Sequence, residues 1–479
     1  MATDNNRFQA IIAHCKEYGF IFQSSEIYDG LSAVYDYGQW GSELKKNIRD
    51  YWWKSMTQMN ENIVGIDAAI FMHPTTWKAS GHVDNFSDPM IDNKDSKKRY
   101  RVDHLIEAKA DDLEKEGKKA EGDALLAEMD KLLAANDYDG LKKLIEDNKI
   151  KCSVSGTGNW TEVRQFNLMF STQLGSVSEE ASEIYLRPET AQGIFVNFLN
   201  VQKTGRMKIP FGIAQTGKAF RNEIVARQFI FRMREFEQME MQFFIRPGSQ
   251  KEWYEYWKEE RMKWHLSLGI PKEKFRFHDH VKLAHYADAA CDIEYEFPIG
   301  FKELEGIHSR TDFDLKNHQL YSKKKMQYFD PEINQNYIPY VVETSVGLDR
   351  TFMMIMSEAY TEEDLSTPEK QDSRVVLKFP PKLAPIKLAV LPLLKKDGLP
   401  ELAREIMNTC KSSFKCFYEE KDAIGRRYRR MDAIGTPFCV TIDHQTKEDG
   451  TVTIRHRDSM QQDRIPATQV REFVEKYLV

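Results

Sequence analysis

Four side chains that suit ligand binding alternate along one stretch of the chain, at Phe236, Gln238, Glu240 and Gln242. Residues two apart point to the same face of a β-strand, so these four share a face. An aromatic ring, an amide and a carboxylate on one face are wrong for a core, because an unpaired buried carboxylate is costly. The same set suits a site in which the ring stacks on a base and the acid holds an ammonium group.

Two arginines flank the loop that precedes this strand. Arg221 follows an apolar run that ends at Phe220, and Arg232 follows the loop. Two apolar and aromatic runs around a short loop predict a β-hairpin. A guanidinium fork matches phosphate geometry, so the pair predicts a polyphosphate site. A hairpin with surface charges remains the alternative on these residues alone.

Further acids could complete such a site. Glu189 stands at a predicted strand-to-helix turn, where it offers a second acid for the ammonium pocket of Glu240 and where Thr190 could cap the helix. Glu303 and Glu305 lie two apart on a predicted strand. Paired acids facing a cleft suit Mg²⁺ bound to ATP phosphates, since Mg²⁺ takes one or two carboxylates and keeps waters.

An anion site is predicted where a strand meets a helix near the end of this region. Gly347 permits a close backbone approach, and Arg350 falls in the first helical turn beside free backbone N–H groups.

Bulk composition sets broad limits. The chain has 479 residues, of which 41% are hydrophobic and 30% charged, as in globular proteins with real cores. Its net charge of −6 confines any nucleic-acid surface to a local patch. No apolar run approaches the length of roughly 18 residues that a membrane span needs, and no signal-peptide core is evident. Six cysteines without a Cys-x-x-Cys pair predict reduced thiols. We therefore expect a cytoplasmic protein without a membrane segment.

The elements that must position these residues fall into four predicted stretches. A first catalytic part spans 1–104, a helical insertion rich in Ala, Leu, Lys and Glu spans 105–160, and a second catalytic part spans 161–382. A linker with three prolines then leads to a small domain at 385–479, where alternating strands and helices predict an α/β fold. One helix there carries Arg426, Arg427, Arg429 and Arg430 around Tyr428, which predicts an RNA surface or a solvated face.

The chain resembles the class II aminoacyl-tRNA synthetases. Phe220-Arg-Asn-Glu223 with the following Arg232 and Phe236 resembles their second signature motif, and Gly347-Leu-Asp-Arg350 their third, although Asp349 stands where glutamate is usual. The region from Gly38 to Trp53 with a strand at 63–72 resembles the first, with Gln39-Trp40 in place of Pro-Leu. Within class II, the strings around Glu189, Glu240 and Arg310 resemble the homodimeric glycyl-tRNA synthetases.

The resemblance implies an α+β fold: an antiparallel catalytic sheet flanked by helices, a helical insertion and a C-terminal α/β anticodon-binding domain. It implies an enzyme that activates glycine with ATP and Mg²⁺ and then charges tRNA(Gly), working as a homodimer through the first motif. The catalytic residues would be Arg221 on the α-phosphate, Arg350 on the terminal phosphate, and Glu303, which would also hold Mg²⁺ through ATP.

Binding roles follow from the same motifs. ATP would contact the residues of the second motif, the strand before the third and the third itself: Arg221, Asn222, Glu223, Phe231, Arg232, Met233, Arg234, Glu235, Phe236, Glu303, Leu304, Gly347, Leu348, Asp349 and Arg350. Glycine would contact Arg101, Glu189, Phe236, Glu237, Gln238, Met239, Glu240, Arg310, Glu343, Thr344, Ser345, Val346 and Gly347.

One departure concerns zinc. Related synthetases often carry two Cys-x-x-Cys pairs, but this chain has Asn93-Lys-Asp-Ser96 and Cys152-Ser-Val-Ser155 in those places, so we expect no structural zinc. Two alternatives to the glycine-charging function remain at this point. One is a paralogue that binds nucleic acid without catalysis, although the charged motif residues are all present. The other is a synthetase for another amino acid, or a nucleotidyl-transfer side activity.

Overall fold

The computed structural model describes residues 2–175, 182–224, 228–281, 283–284 and 286–478. They form two compact units. The first unit comprises Met1–Ala69, Glu189–Ala219 and Ala226–Val479, and the second comprises Ile70–Pro188 and Phe220–Val225.

Strands and helices alternate irregularly along the chain. The strands are β1 (Ile21–Gln23), β2 (Tyr35–Tyr37), β3 (Ile63–Gly65), β4 (Ser87–Asp92), β5 (Arg99–Arg101), β6 (Arg164–Asn167), β7 (Ser171–Leu174), β8 (Ser182–Tyr185), β9 (Phe211–Phe220), β10 (Glu235–Ile245), β11 (Phe275–Asp279), β12 (Ala289–Phe297), β13 (Gly300–Thr311), β14 (Tyr328–Asp330), β15 (Gln335–Tyr337), β16 (Tyr340–Gly347), β17 (Tyr360–Asp364), β18 (Ser373–Leu377), β19 (Leu388–Pro392), β20 (Cys416–Tyr418), β21 (Phe438–Ile442), β22 (Thr451–His456) and β23 (Gln462–Pro466). The helices are α1 (Ala2–Glu17), α2 (Gln39–Thr57), α3 (Pro74–Ala79), α4 (His82–Asn85), α5 (Val102–Lys115), α6 (Lys119–Ala134), α7 (Tyr138–Asp147), α8 (Ala191–Thr204), α9 (Gln250–Leu266), α10 (Phe313–Ser322), α11 (Leu348–Ala359), α12 (Leu399–Cys410), α13 (Ile424–Ala433), α14 (His444–Asp449) and α15 (Val470–Glu475).

A seven-stranded sheet organises the first unit, in the order β11-β12-β13-β16-β10-β9-β3. Neighbours from β11 to β10 are antiparallel, whereas β3 joins β9 in parallel at the edge. On β10 the alternation separates buried Met239, Met241 and Phe243 from the polar face of Gln238 and Glu240. Helices α9 and α11 pack on the sheet, and its apolar side chains join one large core with theirs. The predicted α+β fold with an antiparallel sheet and flanking helices is confirmed.

Helix α2 belongs to that core. Its apolar stripe of Leu44, Ile48, Trp52 and Met56 is fully buried within the same chain. The apolar stripe of this helix is therefore part of the core.

The C-terminal strands form a second sheet of five, ordered β20-β19-β21-β22-β23. Its parallel β20-β19-β21 part and antiparallel remainder confirm the predicted α/β domain. The segment predicted as a linker is not loose: Phe379, Leu383 and Ala384 are fully buried in the large core of the first unit. A segment with three prolines can therefore form a packed connection as well as an exposed one.

The second unit contains a three-stranded sheet, ordered β5-β4-β6, and the helices α5, α6 and α7. These helices share a small core with Ile91, Cys152 and Trp160. The thin apolar stripes of these charged helices are enough to form a core, because each stripe packs against another within the unit. In the described ranges, none of the helices has the length and apolar character needed to span a lipid bilayer.

Candidate active site

The polar face of β10 continues across the sheet. In register, Glu240 lies opposite Ser345, Gln242 opposite Glu343, and Glu343 opposite His308 on the next strand. Directly opposed residues project to the same side of an antiparallel pair. The adjacent strands β10 and β16 thus bring Glu240 and Glu343 together, whereas Glu189, the second acid predicted for the ammonium pocket of Glu240, precedes α8.

A single amide links the two central acids. Gln242 Nε2 donates to Glu240 Oε1 over 2.8 Å and to Glu343 Oε2 over 2.6 Å, with all three side chains almost fully buried. Gln242 continued the predicted alternation but carried no predicted role. Its position between two acids gives this member of the predicted ligand-binding face a specific role.

Thr190 has a different role from the one predicted. It occupies the residue before α8, but its hydroxyl makes no capping hydrogen bond and instead donates to Glu240 Oε2. Its backbone N–H donates to Gln238 Oε1 over 3.2 Å. Glu189 accepts a hydrogen bond from Gln192 Nε2 at 3.0 Å. The buried carboxylate of Glu240 takes the hydroxyl although the first turn of α8 is itself buried, so tertiary structure overrides the local capping signal.

Arg310 is the cation of this group. Its Nε and Nη2 donate to the two oxygens of Asp314 at 2.8 and 3.0 Å, and Nη1 donates to Glu343 Oε2 at 3.1 Å. On the other side of Glu343, His308 Nδ1 lies 2.7 Å from Oε1. Asp314 and His308 were not predicted; the four-residue spacing from Arg310 to Asp314 is the signal that could have found the first.

The two central acids have opposite pKa shifts. Burial and the neighbouring Glu343 and Glu189 raise the pKa of Glu240 well above its ordinary value. Burial also opposes ionisation of Glu343, but Arg310 and the hydrogen bond from His308 outweigh it and hold its pKa below the usual range. Two carboxyl groups at one centre therefore share a single negative charge.

The prediction that Glu303 and Glu305 share one face of the strand is wrong. Ile293 faces Glu305 while Glu294 faces Glu303, so Leu304 is an extra residue and forms a β-bulge. The bulge sends the two acids to opposite faces. Glu305 is buried between Arg261 Nε and His265 Nε2, each 2.6 Å away, and only Glu303 stays exposed.

Arg350 lies close to Glu303. Its Nη1 is 3.1 Å from Glu303 Oε2, and its guanidinium lies over the Phe231 ring at 4.5 Å. Both Glu303 and Arg350 remain partly exposed, as an ATP-facing pair would need. A single exposed carboxylate also fits Mg²⁺ that keeps its waters and phosphate oxygens as other ligands.

Two predicted contact residues are tied into the scaffold. Asp349 accepts hydrogen bonds from Tyr37, from Lys45 Nζ at 2.7 Å and from the backbone N–H of Glu237 at 2.7 Å. Glu237 is paired with Arg49 at 2.7 Å. These buried ion pairs fix the start of α11 against β10 and α2.

Several other predicted residues direct their side chains away from this face. Those of Met239, Thr344, Val346, Leu348, Leu304 and Met233 are buried. A ligand on the polar face could meet only their backbone. By contrast, Phe236, Ser345 and Gly347 are partly exposed at the ends of β10 and β16.

The loop before β10 is held at several points. Arg234 Nη1 donates to the Ser32 carbonyl at 3.1 Å, and Glu235 pairs with Lys218. Arg232 is exposed. This arrangement leaves Arg232 as the loop cation best placed for a phosphate.

Four predicted site residues lie in the second unit. Arg101 pairs with Asp103 at 2.5 Å and Asp88 at 3.2 Å. Arg221 Nε donates to the Pro188 carbonyl at 3.0 Å, and its guanidinium lies over the Phe86 ring at 5.5 Å. The backbone N–H groups of Asn222 and Glu223 bond to Leu168 and Arg221 carbonyls, so Phe220 to Glu223 is a fixed turn.

The two turns that replace Cys-x-x-Cys pairs face each other in the second unit. Ser96 Oγ lies 3.2 Å from Cys152 Sγ, and Ser155 Oγ donates to Asn93 Oδ1 at 2.9 Å. Hydrogen bonds from Ser155, Ser96 and Tyr100 outweigh burial and lower the pKa of Cys152 to about 6. Hydrogen bonds thus join the two turns.

The structure removes one of the four arginines, Arg427, from the predicted RNA surface on α13. Arg427 is buried and donates to the Pro392 and Leu393 carbonyls, at 2.6 and 3.2 Å. Arg429 and Arg430 pair with Asp372 and Asp422, and Arg426 is exposed. Arg426, Arg429 and Arg430 follow the i, i+3, i+4 spacing of one helix face, whereas Arg427 lies off that face.

The sheet, its polar face and the C-terminal domain define the class of protein. The description "tRNA synthetase class II core domain (G, H, P, S and T)" matches residues 170–359, and "Anticodon binding domain" matches 387–477. The description "Glycyl-tRNA synthetase insertion domain 1" matches residues 88–168, a wider span than the predicted insertion. The chain thus carries the class II synthetase core.

Similarity to whole proteins is more specific. The chain is 54% identical to the glycine–tRNA ligase of Chlorobaculum tepidum over 97% of its own length and 98% of the relative's. It is 52% identical to that of Treponema denticola, with 96% and 95% covered, and 50% identical to that of Macrococcus caseolyticus, with 98% of both covered. The chain belongs to the glycine–tRNA ligase family, and the predicted enzyme class is confirmed.

Proposed function

We propose that the chain activates glycine with ATP, releases pyrophosphate, and transfers the glycyl group to the 3′ end of tRNA(Gly). The observation that carries the proposal for this chain is the buried centre of Glu240 and Glu343 linked by Gln242. A centre with more carboxyl groups than fixed cations attracts an ammonium group and would be unfavourable without one.

Glycine fits this centre by size as well as by charge. A Cβ on Gly306, which lies opposite Ser345, would come within 3.0 Å of the His308 ring, so the wall is already tight. One extra methylene changes binding by only about 1–3 kcal/mol in a yielding pocket, but an overpacked wall rejects it more strongly. Charge selects the α-amino group and the wall selects against a side chain.

Positioning and electrostatics supply the chemistry, because no protein nucleophile is needed. The glycine carboxylate attacks the α-phosphorus in line, and a ribose hydroxyl of tRNA later attacks the mixed anhydride, with AMP leaving. Arg221 remains the candidate for the α-phosphate and Arg350 for the terminal phosphate. Mg²⁺ bound with ATP would neutralise phosphate charge, and Glu303 would hold it.

The remaining assignments are placed by motif and by position. Phe236 would stack on adenine, with Arg232 and the 231–236 loop around the phosphates; Glu189, Gln238 and Ser345 would complete the glycine contacts. We also propose a cytoplasmic homodimer. Strand β3, which follows the first motif's helix, lies at an open edge of the seven-stranded sheet, and Met59 before it is exposed, so this edge is the proposed contact.

ATP–pyrophosphate exchange with each amino acid in turn tests the function. Exchange should require glycine, and alanine and serine should support little. Strong exchange with another amino acid would transfer the proposal to that substrate, and no exchange with any would favour a paralogue without catalysis. Light scattering on the same preparation should give about twice the 56.0 kDa chain mass, and a monomer that still charges tRNA would remove the dimer.

A further inference from the structure

The centre between β10 and β16 holds two carboxyl groups and one shared amide. Both hydrogens of Gln242 Nε2 are used, at 2.8 Å to Glu240 and 2.6 Å to Glu343. The other end of the same amide is different: Gln242 Oε1 is buried and accepts no hydrogen bond from any described residue. Buried acceptors are rarely left unpaired, so this oxygen can accept a hydrogen bond from a bound molecule.

Acids outnumber cations around this centre. The charged and titratable groups that face it from β10, β13, β16, α10 and the segments beside them are Glu189, Glu240, Glu343, Asp314, Arg310, His308 and Tyr286. Arg310 gives two of its three hydrogen bonds to Asp314. Among the described residues that face the centre, Arg310 is the fixed positive charge, and Asp314 and Glu343 share it. The pKa shifts agree in direction, because burial with Glu343 and Glu189 raises the pKa of Glu240, whereas Arg310 and His308 lower that of Glu343.

We propose that the ammonium group of glycine enters this centre in exchange for the proton of Glu240. Gln242 is the positioning residue, because its amide nitrogen holds the two carboxyl groups close together. The inference rests on the proposed function and deepens it. Glu240 loses its O–H proton to solvent, no bond of glycine breaks, and the positive charge of the ammonium replaces that of the proton. An ammonium group has three N–H donors, and the carboxyl oxygens of Glu240 and Glu343 supply acceptors for it.

Proton exchange has a measurable consequence with a definite sign. The empty centre binds one proton more than the occupied centre, so a falling pH favours the empty state. Glycine affinity should fall about tenfold per pH unit below the pKa of the pair and level off above it. A centre that already held two ionised carboxylates would bind glycine with the same affinity across this range.

Calorimetric titration of glycine into the full chain, in buffers of different ionisation enthalpy at neutral pH, counts the released protons. We expect about one proton per glycine in the unmodified chain and about none in Glu240→Gln, which keeps the shape but has no proton to release. Glu405→Gln, an exposed change on α12, should behave like the unmodified chain. His308→Asn should also keep the release, because the proton comes from Glu240 and not from the imidazole.

The outcomes separate the inference from the function. Normal binding without proton release, release that persists in Glu240→Gln, or release that disappears in His308→Asn would each overturn the exchange while leaving the function intact. Failure of glycine to bind or to support exchange with pyrophosphate would overturn the function instead. If Glu240→Gln does not fold, the pH dependence of glycine affinity in the unmodified chain decides, and a flat dependence overturns the exchange.

Discussion

Arg310 donates from Nη1 to Glu343 Oε2 across 3.1 Å, and both side chains are almost fully buried. The other two nitrogens of the same guanidinium, Nε and Nη2, donate to Asp314. The planar guanidinium of Arg310 thus fixes the orientation of the Glu343 carboxylate. The Gln242 amide, which also fixes Glu240, contacts Glu343 from the other side. The ammonium centre is built by residues that hold acids in place as much as by the acids themselves.

Arg310→Lys tests whether the guanidinium of Arg310 positions Glu343. Lysine keeps the positive charge but cannot satisfy three oxygens from one plane. We expect a loss of about 1–3 kcal/mol from unsatisfied buried groups, seen as a roughly 10–100-fold rise in the glycine KM with a smaller change in kcat. Glycine-dependent exchange gives both values, and Arg471→Lys on exposed α15 is the matched control. An unchanged KM in a folded variant would show that Arg310 does not position Glu343.

Arg221→Lys tests the phosphate assignment. The charge remains, but the fork that would stabilise the growing charge at the α-phosphorus is lost. Exchange should fall by ~100-fold or more, the effect of losing one preorganised donor. Arg164→Lys, an exposed change in the same unit, is the control. Near-normal exchange by folded Arg221→Lys would remove the assignment.

Period-two alternation was sufficient to predict the polar face of β10. Every member from Gln238 to Gln242 takes part in the hydrogen bonds of the site. The pattern failed one strand pair away, at Glu303 and Glu305, because the bulge at Leu304 adds a residue and reverses the faces. A bulge is set by pairing with the neighbouring strand, and a single strand's sequence does not record that pairing.

Local signals also failed where tertiary partners compete. Thr190 stands where a helix cap is expected, yet its hydroxyl serves Glu240. Arg427 stands in a basic cluster, yet it is buried against backbone carbonyls. In both cases the side chain satisfies a buried group that lies far away in sequence, which local propensity cannot anticipate.

A zinc site should be restorable in the second unit. Asn93→Cys, Ser96→Cys and Ser155→Cys, combined with the native Cys152, would place four thiolates on turns that already face each other. Zinc accepts four cysteines at about 2.3 Å with tetrahedral geometry. We expect one zinc per chain by elemental analysis and a higher melting temperature that chelation reverses. The unmodified chain should melt at the same temperature with and without chelator, and a drop on chelation would contradict the hydrogen-bonded arrangement.

The C-terminal domain should act on tRNA and not on glycine activation. Deleting residues 385–479 would not test this cleanly, because Ile386, Leu391 and Met431 join the core of the first unit. Point variants avoid exposing that core.

Arg426→Ala and Arg427→Met form the informative pair on α13. Arg426 is exposed, so its loss should weaken tRNA charging at limiting tRNA while exchange with pyrophosphate stays unchanged, since that step needs only glycine, ATP and Mg²⁺. Arg427 is buried and satisfies three carbonyl groups, so its loss should lower thermal stability and only then activity. Aminoacylation, exchange and melting temperature measured on each preparation separate the two effects. If Arg426→Ala charges tRNA normally at limiting concentration, the exposed end of α13 is not an RNA contact, and if Arg427→Met is fully stable but charges poorly, the buried arginine reads RNA after all.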